Sequence, residues 1–199
     1  MSTELVREVA GVSLATQSQY TIKRKFWSFF ERVFRVWTAD GQLIMYIKHP
    51  LLKLREEFMF YGDEAQTKPL LRVKSKQVIA INFSYEITDA ETNQPLGAVQ
   101  KKGLKSILRD KFIIFDPHGV EIGYAQEQGA ALLRRFIPLL TSKHAIFEDG
   151  KQVAFVKQRF RFFTKEFTVE LQPSTVLEPR FVLAVALLAL MAEARREQN

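Results

Sequence analysis

Cysteine is missing from all 199 residues. That excludes disulfides, thiolate catalysis, cysteine metal sites and S-palmitoyl anchors, and it leaves the compartment unreadable from redox chemistry. Histidine is nearly as scarce: His49, His118 and His144 are scattered without metal-ligand spacing and read as turn or surface residues. No GxSxG, HExxH, Walker loop or dinucleotide fingerprint occurs, and Gly119 to Gly123 (GVEIG) reads as a turn and strand, not a phosphate cradle. Glu56-Glu57 and the pair Glu121 and Glu127 read as exposed strand carboxylates, not as acid–base pairs. The expectation is a protein that is not an enzyme and holds no metal or cofactor. Long hydrophobic runs are also lacking. The longest, Phe181 to Ala192, is twelve residues. At ~1.5 Å per residue it covers roughly 18 Å, against a hydrocarbon core of ~30 Å. The opening MSTELVREVAG carries charges where a signal peptide needs its apolar segment, which implies a cytoplasmic protein. Acidic residues are in deficit, 22 against 29 Lys and Arg. The resulting +7 and pI near 9.6 suit an anionic partner.

What is there is apolar and aromatic: 47% hydrophobic residues and 17 Phe, enough for one well-cored domain. The apolar run lies in a predicted helix from Pro179 to Arg196. Pro179 suits its first turn, Glu178 its positive end, and Arg195 and Arg196 its last turn. Apolar groups surround this helix instead of forming one stripe, so it requires burial on every side. At ~2 kcal/mol each, its large side chains make that burial worth on the order of 15 kcal/mol. A protein core is the host that the length permits; a short membrane tail anchor is the competing one.

The rest of the chain is written in strands. Residues 1–18 read as a mobile lead-in with at most a short strand. From residue 19 to 199 a single domain is expected. Asp40-Gly41 and Asp149-Gly150 mark hairpin tips, and Asp116 to Gly119 a further turn. Gly129 to Leu140 reads as one or two helical turns stopped near Pro138. A loose repeat runs through LKLREEFMFY, KSILRDKFIIF and RFFTKEFTVEL. It places Phe58, Phe112 and Phe167 at intervals of 54 and 55, and Lys48, Lys101 and Lys157 at 53 and 56. Three units of roughly four strands give about twelve. A sheet of that size closes to remove its edges, and a wide barrel has room for a helix ~10–12 Å across. The expected fold is therefore mainly β, a closed barrel of about twelve antiparallel strands enclosing the C-terminal helix. A two-sheet sandwich would leave one side of that helix wet.

The chain resembles the tubby C-terminal-like superfamily, in its LURP-one-related and phospholipid scramblase branch. The likeness covers roughly Tyr20 to Ala192. It rests on YTIKRK, on FRVWTADGQLIMYIKHPLLKLREEFMFY, on YEITD with LGAVQKKGLKSILRDKFIIFD, and on FTVELQPSTVLEPRFVLAVALLAL. The resemblance implies a twelve-stranded barrel around a hydrophobic C-terminal helix. It does not extend to calcium-triggered scrambling. Animal scramblases carry palmitoylated cysteines and an acidic calcium segment, whereas QPSTVLEPR offers only Glu178. Calcium takes roughly six to eight oxygens. Tubby proteins bind phosphoinositides through a basic pocket whose positions do not map onto this chain residue by residue.

Two stretches join cations to aromatics as interfacial sites do. One is Lys23, Arg24 and Lys25 beside Phe26, Trp27, Phe29 and Phe30; the other is Arg134, Arg135 and Phe136 within LLRRFI. Arg159, Phe160, Arg161 and Phe162 alternate likewise. Read as a lipid site, Lys23, Arg24, Lys25, Arg134 and Arg135 would meet headgroups, with Trp27 and Phe136 at the interface. The plainer reading puts the aromatics in the core and leaves the cations to solvate the outside. The expected function is a scramblase-like or LURP-one-like module on anionic phospholipid, cytoplasmic and peripheral to the membrane. A regulatory module docking another protein is the alternative, with lipid scrambling behind it. No motif supports a nucleic-acid partner.

Overall fold

The computed structural model describes residues 8–9, 12–14, 17–25, 31–50, 57–79, 82–101, 111–128, 141–161 and 164–196. Two short strands, β1 (Glu8–Val9) and β2 (Val12–Ser13), form a ladder of their own. Twelve longer strands follow. They are β3 (Gln19–Lys25), β4 (Glu31–Thr38), β5 (Leu43–Pro50), β6 (Glu57–Tyr61), β7 (Pro69–Ile79) and β8 (Asn82–Asp89). Then come β9 (Pro95–Lys101), β10 (Lys111–Phe115), β11 (Glu121–Gln128), β12 (Lys143–Glu148), β13 (Lys151–Arg159) and β14 (Thr164–Leu171). Each pairs antiparallel with the next. β14 returns to β3, from Thr164 opposite Lys25 to Glu170 opposite Gln19, and closes the barrel. The expected turns sit where placed. Asp149 and Gly150 both have positive φ, 48° and 76°, the pair that suits the twist of a two-residue hairpin.

Alternation sends Tyr20, Ile22, Phe34, Val36, Phe60, Leu71, Val73 and Ile87 inward, all fully buried. They meet α1 (Pro179–Arg196) in one continuous core. Every residue from Phe181 to Leu190 is at most 3% exposed, so the helix is walled on all sides as its composition requires. Gly97 makes room for it: a Cβ there would fall 2.7 Å from Phe181 Cζ, at a φ of +146° that side chains rarely adopt. Outside, Lys23, Lys48, Glu57 and Lys74 stand exposed on the strands. This apolar inside and charged outside reverses the pattern of a membrane-spanning barrel. Among the described residues no helix is long and apolar enough to cross a membrane.

A buried contact between polar side chains holds the helix at each end. At its start Arg180 lies 2.8 Å from Asp89 on β8 and also contacts Glu178. Burial pushes Asp89 up, but the Thr92 backbone and hydroxyl and the Arg180 guanidinium outweigh it and hold the carboxyl below its ordinary range. Near the helix end His144 Nε2 donates to Glu193 Oε2 at 2.9 Å, both side chains buried. This corrects the reading of His144 as a turn or surface residue; His118, by contrast, is in an exposed turn. Glu127, read as exposed, is fully buried beside His144 on the neighbouring strand.

The repeat maps onto the barrel. Phe58, Phe112 and Phe167 are buried on β6, β10 and β14, the fourth strand of each successive set of four. Lys48, Lys101 and Lys157 lie on β5, β9 and β13, the third strands, although Lys101 is half-buried while the other two are exposed. In the lead-in, Leu14 is buried in the core and its carbonyl accepts the Tyr20 hydroxyl at 3.0 Å. Burial pushes Tyr20 up to about 12. The helical turns expected between Gly129 and Leu140 lie outside the described residues.

Candidate functional site

Strand pairing brings cations from distant parts of the chain onto one outer face, across β12, β13, β14 and β3. Lys143 and Lys157 are direct Cα partners and both are exposed. Like charges opposed across a ladder repel, an arrangement that an anion relieves. One step along, Glu166 on β14 lies between Arg159 of β13 and Lys23 of β3 in register. Lys23, Arg159 and Arg161 approach its carboxylate at 4.0, 3.9 and 3.8 Å. These are ion pairs beyond hydrogen-bond reach. Their side chains are 47%, 55% and 58% exposed, against 12% for Glu166. Glu166 and the exposed Glu170 of β14 are outnumbered by these five cations, which leaves the face positive. Thr168, opposite Lys157, has a buried Oγ1 without a hydrogen-bond partner at the floor of this face.

Aromatic rings border the same surface. Lys23 Nζ lies 5.1 Å from the Trp37 ring centroid, and Phe160, between the two arginines, is 49% exposed. The neighbouring Arg35 is committed elsewhere. It bonds Glu64 through two nitrogens at 2.8 and 2.9 Å, and that bond, against an opposing effect of burial, raises Arg35 above its ordinary value. The same guanidinium holds Glu64 below its own.

Of the residues proposed from sequence, only Lys23 is placed on this face. Arg24 points the other way, 6% exposed within the barrel with its guanidinium 5.9 Å from the Phe34 ring, because consecutive strand residues take opposite faces. Lys23 and Arg24 therefore do not form one outer cluster. Lys25 ends β3, with its side chain outside the described residues; Trp27, Arg134, Arg135 and Phe136 lie outside them altogether. Lys143 and Lys157 were missed. Their opposition appears only once β12 and β13 are registered.

No family model and no curated protein matches this chain. Among solved structures, the X-ray structure of a protein from Arabidopsis thaliana is similar to it. The TM-score is 0.49 and the identity 14%, over 89% of this chain and 91% of that one. The barrel of twelve strands around the C-terminal helix is the architecture that the resemblance to the tubby-like superfamily implies.

The described residues of this face contain no nucleophile–base pair. Among the described residues no group of three His, Asp or Glu is arranged to hold a metal ion. What the arrangement offers is a convex, positively charged surface bordered by the aromatic rings of Trp37 and Phe160. It can attract and hold anions, with affinity that falls as salt screens the charges.

Proposed function

We propose that the protein is a non-enzymatic, scramblase-like or LURP-one-like module that associates with anionic phospholipid at a membrane surface. The observation that carries this reading is the outer face where Lys23, Arg159 and Arg161 surround the carboxylate of Glu166 beside the opposed Lys143 and Lys157. Each cation near an anionic leaflet contributes ~1 kcal/mol, so five give a reversible, salt-sensitive attachment. Lipid translocation is outside the proposal, since the apolar helix needed to enter a bilayer is held in the barrel by Asp89 and His144. Flotation with neutral and with phosphatidylserine-containing vesicles tests it. Binding to the anionic vesicles alone, weakened by salt, is expected. Equal and negligible binding to both removes the reading and leaves docking to another protein as its replacement.

A further inference from the structure

A barrel whose strands run up and down has two rims, and here their chemistry is opposite. At one rim β4–β5, β6–β7, β8–β9, β10–β11 and β12–β13 are joined by short turns, residues 39–42, 62–68, 90–94, 116–120 and 149–150. These contain Asp40, Asp63, Glu64, Glu91, Asp116 and Asp149 against one cation, Lys68, and they contain no aromatic residue. At the other rim, among the described residues, lie the start of β12 at Lys143 and the end of β13 at Arg159.

Described residues mark the second rim directly. Lys143 opens β12 there, Arg159 closes β13, and Phe160 and Arg161 follow it, both exposed. The cationic outer face adjoins this rim and no part of it reaches the other. The helix runs between the two. Arg180 pairs with Asp89 at the last residue of β8, on the acidic rim, and Glu193 pairs with His144 near the start of β12, on the basic one. The exposed apolar residues toward the acidic rim, Val120 and Val176, stand singly near carboxylates, as isolated surface residues do.

A molecule charged oppositely at its two ends turns in the field of an anionic surface until the positive end faces it. Cations mixed with aromatic rings are the composition that settles at the headgroup level, where the rings enter and the charges stay with the phosphates. We infer that the protein docks on anionic phospholipid end-on, through the rim that carries Lys143, Arg159, Phe160 and Arg161, with the acidic turns held away from the bilayer. The inference rests on the phospholipid reading above and adds the orientation and the contacting end.

Because the chain has no cysteine, a single reporter can be placed at either end. Phe160→Cys and Glu91→Cys, each carrying an environment-sensitive nitrobenzoxadiazole label, are mixed with vesicles of phosphatidylserine and phosphatidylcholine. Flotation of the unlabelled wild-type chain runs alongside. The expected result is a blue shift and loss of iodide quenching at position 160, with neither at position 91. Loss of binding in the labelled Phe160→Cys chain alone also places the contact at that rim. A response at position 91, or equal responses at both, overturns the orientation while wild-type flotation keeps the phospholipid reading. Failure of the wild-type chain to float overturns both.

Discussion

At Asp89 one carboxylate oxygen accepts from the Glu91 and Thr92 N–H groups and the Thr92 hydroxyl, at 3.0, 2.7 and 2.9 Å, while the other accepts from Arg180. A turn and the helix start are thereby tied to one ionised group. Its folded pKa is depressed below the ordinary 3.8, so its stabilisation is present above that value and is lost as pH falls through the lower, folded one. The urea midpoint of the wild-type chain should therefore fall below about pH 4, and Asp89→Asn should flatten that part of the profile. A wild-type profile already flat there would contradict the assignment. Arg180→Met removes the other partner and strands a buried charge, at a cost of about 3–5 kcal/mol in equilibrium unfolding. A loss under about 1 kcal/mol would mean the pair is solvated. Arg180 and Glu193 flank the apolar run directly in the sequence. Their partners are not legible there, because Asp89 lies 91 residues and His144 49 residues away. Only the closed barrel brings them together.

Among the elements, the helix was the most legible, since an all-round apolar surface needs burial on every side and its length favoured a protein core over a bilayer anchor. Its bounds, Pro179 and Arg196, agree with the structure. The hairpins were legible where Asp-Gly pairs punctuate them, and the four-strand period was legible through Phe58, Phe112 and Phe167. The face of a given cation was harder to read. The run Lys23-Arg24-Lys25 looks continuous in sequence, yet the pleat divides it, sending Arg24 inward and Lys23 outward. Enclosure of the helix has a mechanical consequence. Leu187→Ala, at a fully buried position, opens a cavity that barrel walls cannot collapse to fill, and should cost about 2–5 kcal/mol by denaturant titration. Val176→Ala, at 88% exposure just before the helix, should change stability by less than about 0.5 kcal/mol. Equal effects at the two sites would deny the enclosure.

Taken whole, the molecule is a shielded apolar axis inside a wall whose outer charge is unevenly distributed. The net charge of +7 suggested an anionic partner from the start, but its location required strand register, because Lys143, Lys157, Arg159 and Lys23 come from three separate strands. Replacing Arg159 and Arg161 together with Gln should weaken binding to phosphatidylserine vesicles by about thirtyfold, at ~1 kcal/mol per cation. The unfolding midpoint should stay unchanged, since exposed ion pairs add little to stability. Unaltered vesicle affinity would move the contact elsewhere. The central claim is that the protein docks with its helix still enclosed, and amide hydrogen exchange with and without phosphatidylserine vesicles tests it most directly. Residues 181–190 should be among the slowest to exchange, opening only with global unfolding, and should be equally slow when vesicles are bound. Faster exchange of those amides on vesicles would show the helix leaving the barrel and would contradict the account.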